Sequence, residues 1–221
     1  MSRGFIFDMN GTMVDDMAFH QQAWGNVING KLNANLTDEQ LKLEMYGKNE
    51  EVLERIFGKG RFTAAEMHEI AMGKEDAYQE AFRPHLKLID GLQTFLDRAK
   101  EEHIPMAIGT AAIPHNLDFV LDNLHLRHYF SAIVSANDVK ESKPHPETFL
   151  LGATGMNVRP EDCVVFEDAP KGVEAALNAG MKAVAVTTVH EAADFARYSN
   201  VLFCISDYND PRLNELFATQ N

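Results

Sequence analysis

The apolar run Phe5-Ile6-Phe7 ends in the carboxylate of Asp8 and passes at once into Met9-Asn10-Gly11-Thr12. This pattern describes a short strand opening into a tight polar loop, with Gly11 freeing the backbone to turn. Delivering one acid to the carboxyl end of an apolar strand is how an open α/β sheet builds a site, so this stretch already restricts the fold. The rest of the sequence agrees with it from about His85 onward, where helical stripes alternate with short apolar strands. Leu92, Phe95, Leu96 and Ala99 precede a strand at 105–109, and Leu117, Val120, Leu121 and Leu124 precede one at 132–135. Pro144 is expected to open a helix carrying Phe149, Leu150 and Ala153, followed by a strand at 163–166 that ends in Glu167-Asp168. Residues 173–179 read as a helix closed by Gly180, and 183–186 and 201–205 as two further strands. Repeated β-α units with near-continuous apolar strands predict a Rossmann-like, mostly parallel sheet with helices on both faces.

Between Asp15 and Pro84 strand signals are nearly absent. Phe19, Ala23 and Val27, then Val52, Leu53 and Ile56, then Met67, Ile70 and Ala71 recur at helical spacing. Thr37 with Gln40 and Thr63 with Glu66 fit the capping box, flanked by the staple pairs Leu36–Leu41 and Phe62–Met67. Trp24 and the methionines are expected in the core of this small bundle. The sequence therefore divides into an α/β core, residues 1–14 and 85–221, and an inserted all-helical domain, residues 15–84. A chain of 221 residues is long enough for both.

Twenty basic against 33 acidic residues give a net charge of −13, which would repel nucleic acid and anionic membrane and argues against both as partners. An anionic substrate would then need local help from a metal and a lysine. Cys163 and Cys204 lie in apolar β-rich runs and are expected to be free, buried thiols. With no charged and apolar leader pattern and no run approaching a membrane span, a cytoplasmic location is expected.

Four strands are expected to bring polar residues to their carboxyl ends: Asp8, Thr110, Lys143 a short loop later, and Glu167-Asp168. Taken singly, Thr110 reads as a helix cap, Lys143 as a solvated loop charge and Glu167-Asp168 as a turn with an N-cap. As a set they combine a nucleophile, a hydroxyl donor, a fixed cation and hard oxygen ligands, which suits phosphoryl transfer with magnesium.

Asp8-Met9-Asn10-Gly11-Thr12, Gly109-Thr110-Ala111, Ser142-Lys143-Pro144 and Phe166-Glu167-Asp168-Ala169-Pro170-Lys171-Gly172 resemble, in order and spacing, the four motifs of the haloacid dehalogenase superfamily. The chain is closest in tone to the β-phosphoglucomutase-like branch, and its helical insertion is similar to that branch's cap. The resemblance covers almost the whole sequence. It implies that Asp8 is a nucleophile forming an aspartyl phosphate, that Thr110 and the Ala111 amide hold phosphoryl oxygens, and that Lys143 neutralises both. It further implies a Mg2+ site from Asp8, the carbonyl of Asn10, Glu167 and Asp168, and substrate contacts from His20 and Lys48. By itself His20 reads equally well as an exposed helix histidine.

One position departs from the pattern: Asn10 stands where the family has a second aspartate, its general acid and base. The resemblance implies a magnesium-dependent phosphatase of a small phosphorylated metabolite, a sugar phosphate by class. A β-phosphoglucomutase, a phosphonoacetaldehyde hydrolase with Lys48 as the amine, a dehalogenase and a non-catalytic phosphate-binding protein are the alternatives. A monomer or weak homodimer is expected.

Overall fold

The computed structural model describes residues 3–218. They divide into two compact units, one formed by Met1–Asp15 with Lys87–Asn221 and the other by Asp16–Leu86.

The first unit is built on six parallel strands: β1 (Gly4–Phe7), β2 (Met106–Gly109), β3 (Ala132–Val134), β4 (Cys163–Glu167), β5 (Lys182–Val186) and β6 (Val201–Ile205). Their spatial order is β3-β2-β1-β4-β5-β6. The chain thus builds outward from β1 on one side and then returns to place β4 on the other. That reversal opens a crevice at the carboxyl ends of β1 and β4, where parallel sheets bind ligands.

Alternation along β1 decides the two sheet faces. Ile6 points into a cluster with Ala107, Phe149, Ala153, Val165, Val173 and Ala176. Phe5 and Phe7 point the other way, into an aromatic layer with Phe95, Phe166, Tyr208 and Phe217. Phe7 and Phe166 are paired in register across the two central strands and stack at 4.7 Å. The central strands β1, β2 and β4 are buried along their whole length, which is why they read as near-continuous apolar runs rather than alternating, whereas β6 at the edge exposes Leu202.

Five helices belong to the same unit as this sheet: Leu92–Glu101, Pro114–Asn123, Glu147–Met156, Pro170–Asn178 and Ala192–Phe195, labelled α5 to α9 below. One of them begins later than expected. Pro144 lies in a turn, and α7 starts only at Glu147. His145 precedes Pro146, and a residue before proline is pushed out of the helical region, so the helix cannot begin until that proline is passed.

The second unit is entirely helical: α1 (Met17–Gly25) continues as a π-helical stretch (Asn26–Lys31), followed by α2 (Asp38–Glu44), α3 (Asn49–Phe57) and α4 (Ala64–Phe82). Its core holds Trp24, Val27, Ile28, Leu41, Val52 and Leu53. Both expected capping boxes form, with Gln40 N–H donating to Thr37 Oγ1 at 3.2 Å and Glu66 N–H to Thr63 Oγ1 at 3.3 Å. Cys163 and Cys204 are free thiols; burial pushes Cys163 up to about 12, whereas Cys204, on the edge strand β6, is only half-buried and not fully buried as expected. No helix among the described residues is long and apolar enough to cross a membrane.

Candidate active site

β1 carries Asp8 to the crevice, and the backbone then turns sharply. Gly11 adopts φ 72°, its N–H donates to the Val14 carbonyl at 2.8 Å, and Met13 N–H donates to the Met9 carbonyl at 2.8 Å. Two residues from distant parts of the chain hold this turn. Thr188 Oγ1 donates to the Gly11 carbonyl at 2.6 Å, and Tyr208 Oη donates to the Thr12 carbonyl at 3.1 Å. Neither was signalled in the sequence, because each acts on a backbone atom and no local pattern marks it.

Lys143 is the centre of the charge arrangement. Its ammonium donates to Asp8 Oδ1 at 2.7 Å, to the Gly109 carbonyl at 2.9 Å and to Glu167 Oε1 at 2.8 Å, so its three N–H groups have three acceptors. The ring of Phe149 lies 4.5 Å beneath it. Burial disfavours the charged amine, but the carboxylates of Asp8 and Glu167 outweigh burial and raise its pKa. Lys143 is therefore a fixed cation and not a proton donor.

Asp8 is 7% exposed. Burial pushes its carboxyl up to about 7; Glu167 adds to the rise, while Lys143 and a hydrogen bond from Thr110 oppose it. Asp168, buried beside the same group, is raised as well, first by burial and then by Glu167 and Asp8. Thr12 Oγ1 donates to Asp168 Oδ1 at 3.3 Å. Glu167 has both oxygens engaged, one by Lys143 and the other by the Ala169 N–H at 2.8 Å. Thr110 is buried at the end of β2 and accepts from the Ala112 N–H at 3.1 Å, with Ala111 half-buried between them. The first unit thus gathers Asp8, Thr110, Lys143, Glu167 and Asp168 around one crevice, with Asn10 in the loop that leaves it.

Three buried carboxylates, Asp8, Glu167 and Asp168, face a single ammonium. Buried charge is costly unless paired, and the raised acids show that the pairing is incomplete. A divalent cation would complete it, and its hard-oxygen preference matches these ligands. Among the described residues no three acidic, histidine or cysteine side chains converge as a metal cluster. The available donor set is accordingly Asp8, Asp168 and backbone carbonyl with water, and Glu167 adjoins it through Lys143.

His20 and Lys48 belong to the helical unit. His20 is 8% exposed, so the exposed-helix reading does not hold. Its ring stacks on Tyr78 at 3.7 Å and its Nδ1 lies 2.7 Å from Lys74 Nζ. Lys74 also donates to Glu75 Oε2 at 2.9 Å, and burial lowers its pKa. Tyr78 Oη donates to Asp16 Oδ2 at 2.5 Å. Sequence reasoning missed this polar cluster because Lys74, Glu75 and Tyr78 sit on a helix whose apolar stripe is weak. Lys48 caps α3, its N–H donating to Glu51 Oε2 at 3.0 Å.

Residues 5–186 match the family model described as Haloacid dehalogenase-like hydrolase. The chain belongs to that family. A curated relative, the fructose-1-phosphate phosphatase of Escherichia coli, is 37% identical over 187 residues, which cover 83% of this chain and 95% of that protein. The β-phosphoglucomutase of Bacillus subtilis is 32% identical over 192 residues, covering 83% of each. Among solved structures, a β-phosphoglucomutase from Clostridium difficile superposes with a TM-score of 0.83 at 25% identity, over 98% of this chain and 96% of that one. This hydrolase therefore falls in the β-phosphoglucomutase-like branch, as its motifs implied.

Proposed function

We propose that this hydrolase is a divalent-metal-dependent phosphatase of small phosphorylated metabolites, with sugar phosphates as its substrate class. The single observation that carries the reading is the buried carboxylate of Asp8, held at 2.7 Å by an ammonium that also bonds Glu167, at the crevice between β1 and β4. Relatives of 37% and 32% identity that act on phosphorylated sugars support the substrate class.

On this reading an Asp8 oxygen attacks phosphorus while the bond from phosphorus to the leaving oxygen breaks, giving an aspartyl phosphate and an oxyanion that takes a proton from solvent water to become the dephosphorylated alcohol. Water then attacks that phosphorus, the bond to Asp8 breaks, and inorganic phosphate leaves. Lys143 orients the attacking carboxylate and balances the charge gathering on the phosphoryl group. Thr110 Oγ and the Ala111 amide hold phosphoryl oxygens. Mg2+, bound by Asp8, Asp168 and the Asn10 carbonyl, would supply neutralisation of the phosphoryl charge. Asn10 hydrogen-bonds the leaving oxygen through its amide but transfers no proton. His20 and Lys48 are assigned to substrate recognition on the strength of the family resemblance.

The test is a screen of phosphorylated metabolites with magnesium and with chelator, following phosphate release. The expected outcome is release from sugar phosphates that needs the metal and disappears in Asp8→Ala. Isomerisation of a hexose 1-phosphate without net release would instead indicate a mutase, and ligand binding without turnover a non-catalytic sensor.

A further inference from the structure

Gly172 is the third residue of α8, and glycine is a poor choice inside a helix. Its backbone does not explain it, since its φ is not among the positive values found at Gly11, Gly91 or Gly180. The missing side chain does. A Cβ at position 172 would lie 1.7 Å from Glu167 Oε1, 1.9 Å from its Cδ and 2.5 Å from Oε2. These are bonding distances, far beyond what a shift of a few tenths of an ångström could relieve. The helix cannot easily retreat either, because Val173, Ala175 and Ala176 on its inner face are fully buried against the sheet.

We infer that Gly172 is a positioning residue for the phosphoryl-transfer site: by lacking a side chain, it lets the Glu167 carboxylate lie against the first turn of α8 and steady Lys143 beside Asp8. The inference rests on the proposed phosphatase reading for its catalytic consequence, though not for the contact itself. Glu167 accepts from the Ala169 N–H with one oxygen and from Lys143 with the other, at 2.8 Å each. It therefore ties the start of α8 to the ammonium. Any side chain at 172 must expel the carboxylate, and Lys143 then loses one of its three acceptors and its fixed distance from the nucleophile.

The experiment is a double-mutant cycle of wild type, Gly172→Ala, Glu167→Ala and the double variant, reading kcat and KM for p-nitrophenyl phosphate with magnesium and the thermal midpoint of each. Gly172→Ala alone is expected to lower kcat on the order of 10²-fold with KM nearly unchanged, the effect of a small misplacement of a reacting group. It should also lower the midpoint. In the Glu167→Ala background there is no carboxylate to expel, so the same alanine should leave kcat where it was and raise the midpoint, as alanine does in a helix. Equal effects of Gly172→Ala in both backgrounds would overturn the inference, as would a single variant with wild-type kcat. If the wild-type protein hydrolyses no phosphate ester, the phosphatase reading falls, and the reversal in sign of the midpoint change still decides whether Gly172 makes room for Glu167.

Discussion

Asp8 carries the most informative electrostatics of any single residue, because the property that hinders it in the metal-free protein prepares it for a cation. Burial first, and Glu167 second, raise its carboxyl to about 7 from an ordinary 3.8. Between those values the folded protein holds a proton that the unfolded chain releases, so the contribution of Asp8 to stability falls as pH rises through that window. The metal-free protein should therefore lose thermal midpoint from about pH 4 to about pH 7 more steeply than Asp8→Asn, which has no such proton to lose. Parallel slopes for the two proteins would remove this account. Asn10 invites a different measurement. A general acid contributes about 10²- to 10⁴-fold when it protonates a basic leaving oxygen. With an amide in its place, aryl and acyl phosphates should be hydrolysed far better than alkyl phosphates. Asn10→Asp should raise turnover of a hexose 6-phosphate by roughly 10²-fold or more and change an aryl phosphate little. If neither substrate responds, another group supplies the proton or the site does not turn over, and trapping of an aspartyl phosphate on Asp8 separates these cases.

At the scale of elements, the crevice depends on how helices meet the loops that follow strands. Gly91 starts α5 with φ 84°, and a Cβ there would lie 2.6 Å from the Tyr208 carbonyl carbon and 2.7 Å from the Asn209 nitrogen. Tyr208 is the residue whose hydroxyl holds the Thr12 carbonyl. Gly91→Ala should cost about 1–2 kcal/mol from the left-handed backbone alone, and more from the backbone clash. Gly180, at φ 74° where it closes α8 and with open space around it, is the control, since alanine there should cost only the conformational part. Urea unfolding of both variants checks the difference, and equal losses would show that the contact at Gly91 relaxes freely. The capping boxes of α2 and α4 are simpler cases, because each is completed within four residues.

For the whole molecule, a net charge of −13 and a buried excess of carboxylates predict that a divalent cation stabilises the fold. Magnesium at about 100 times its Kd should add about 2.7 kcal/mol, read as a rise in thermal midpoint. Asp168→Ala should abolish most of that rise; an undiminished response would assign the ion to some other site. The order of elements, the helical insertion and the acids at the ends of β1 and β4 were all legible in the sequence. They depend on hydrophobic period, capping chemistry and turn residues, which are properties of a few neighbouring positions. Partnerships at the site were not legible in the same way. The Lys143–Asp8 contact joins residues 135 positions apart, and it exists because β4 crosses over to pair with β1. The same crossing aims Glu167 at Lys143 rather than leaving it as an open ligand, and makes Gly172 indispensable to that geometry by proximity rather than by conformation. Burial likewise turned His20, which by itself reads as an exposed helix histidine, into part of a polar cluster with Lys74 and Tyr78. Local sequence thus determined what each segment becomes, whereas packing decided which charges share a low-dielectric space, since that depends on distances only the folded chain defines.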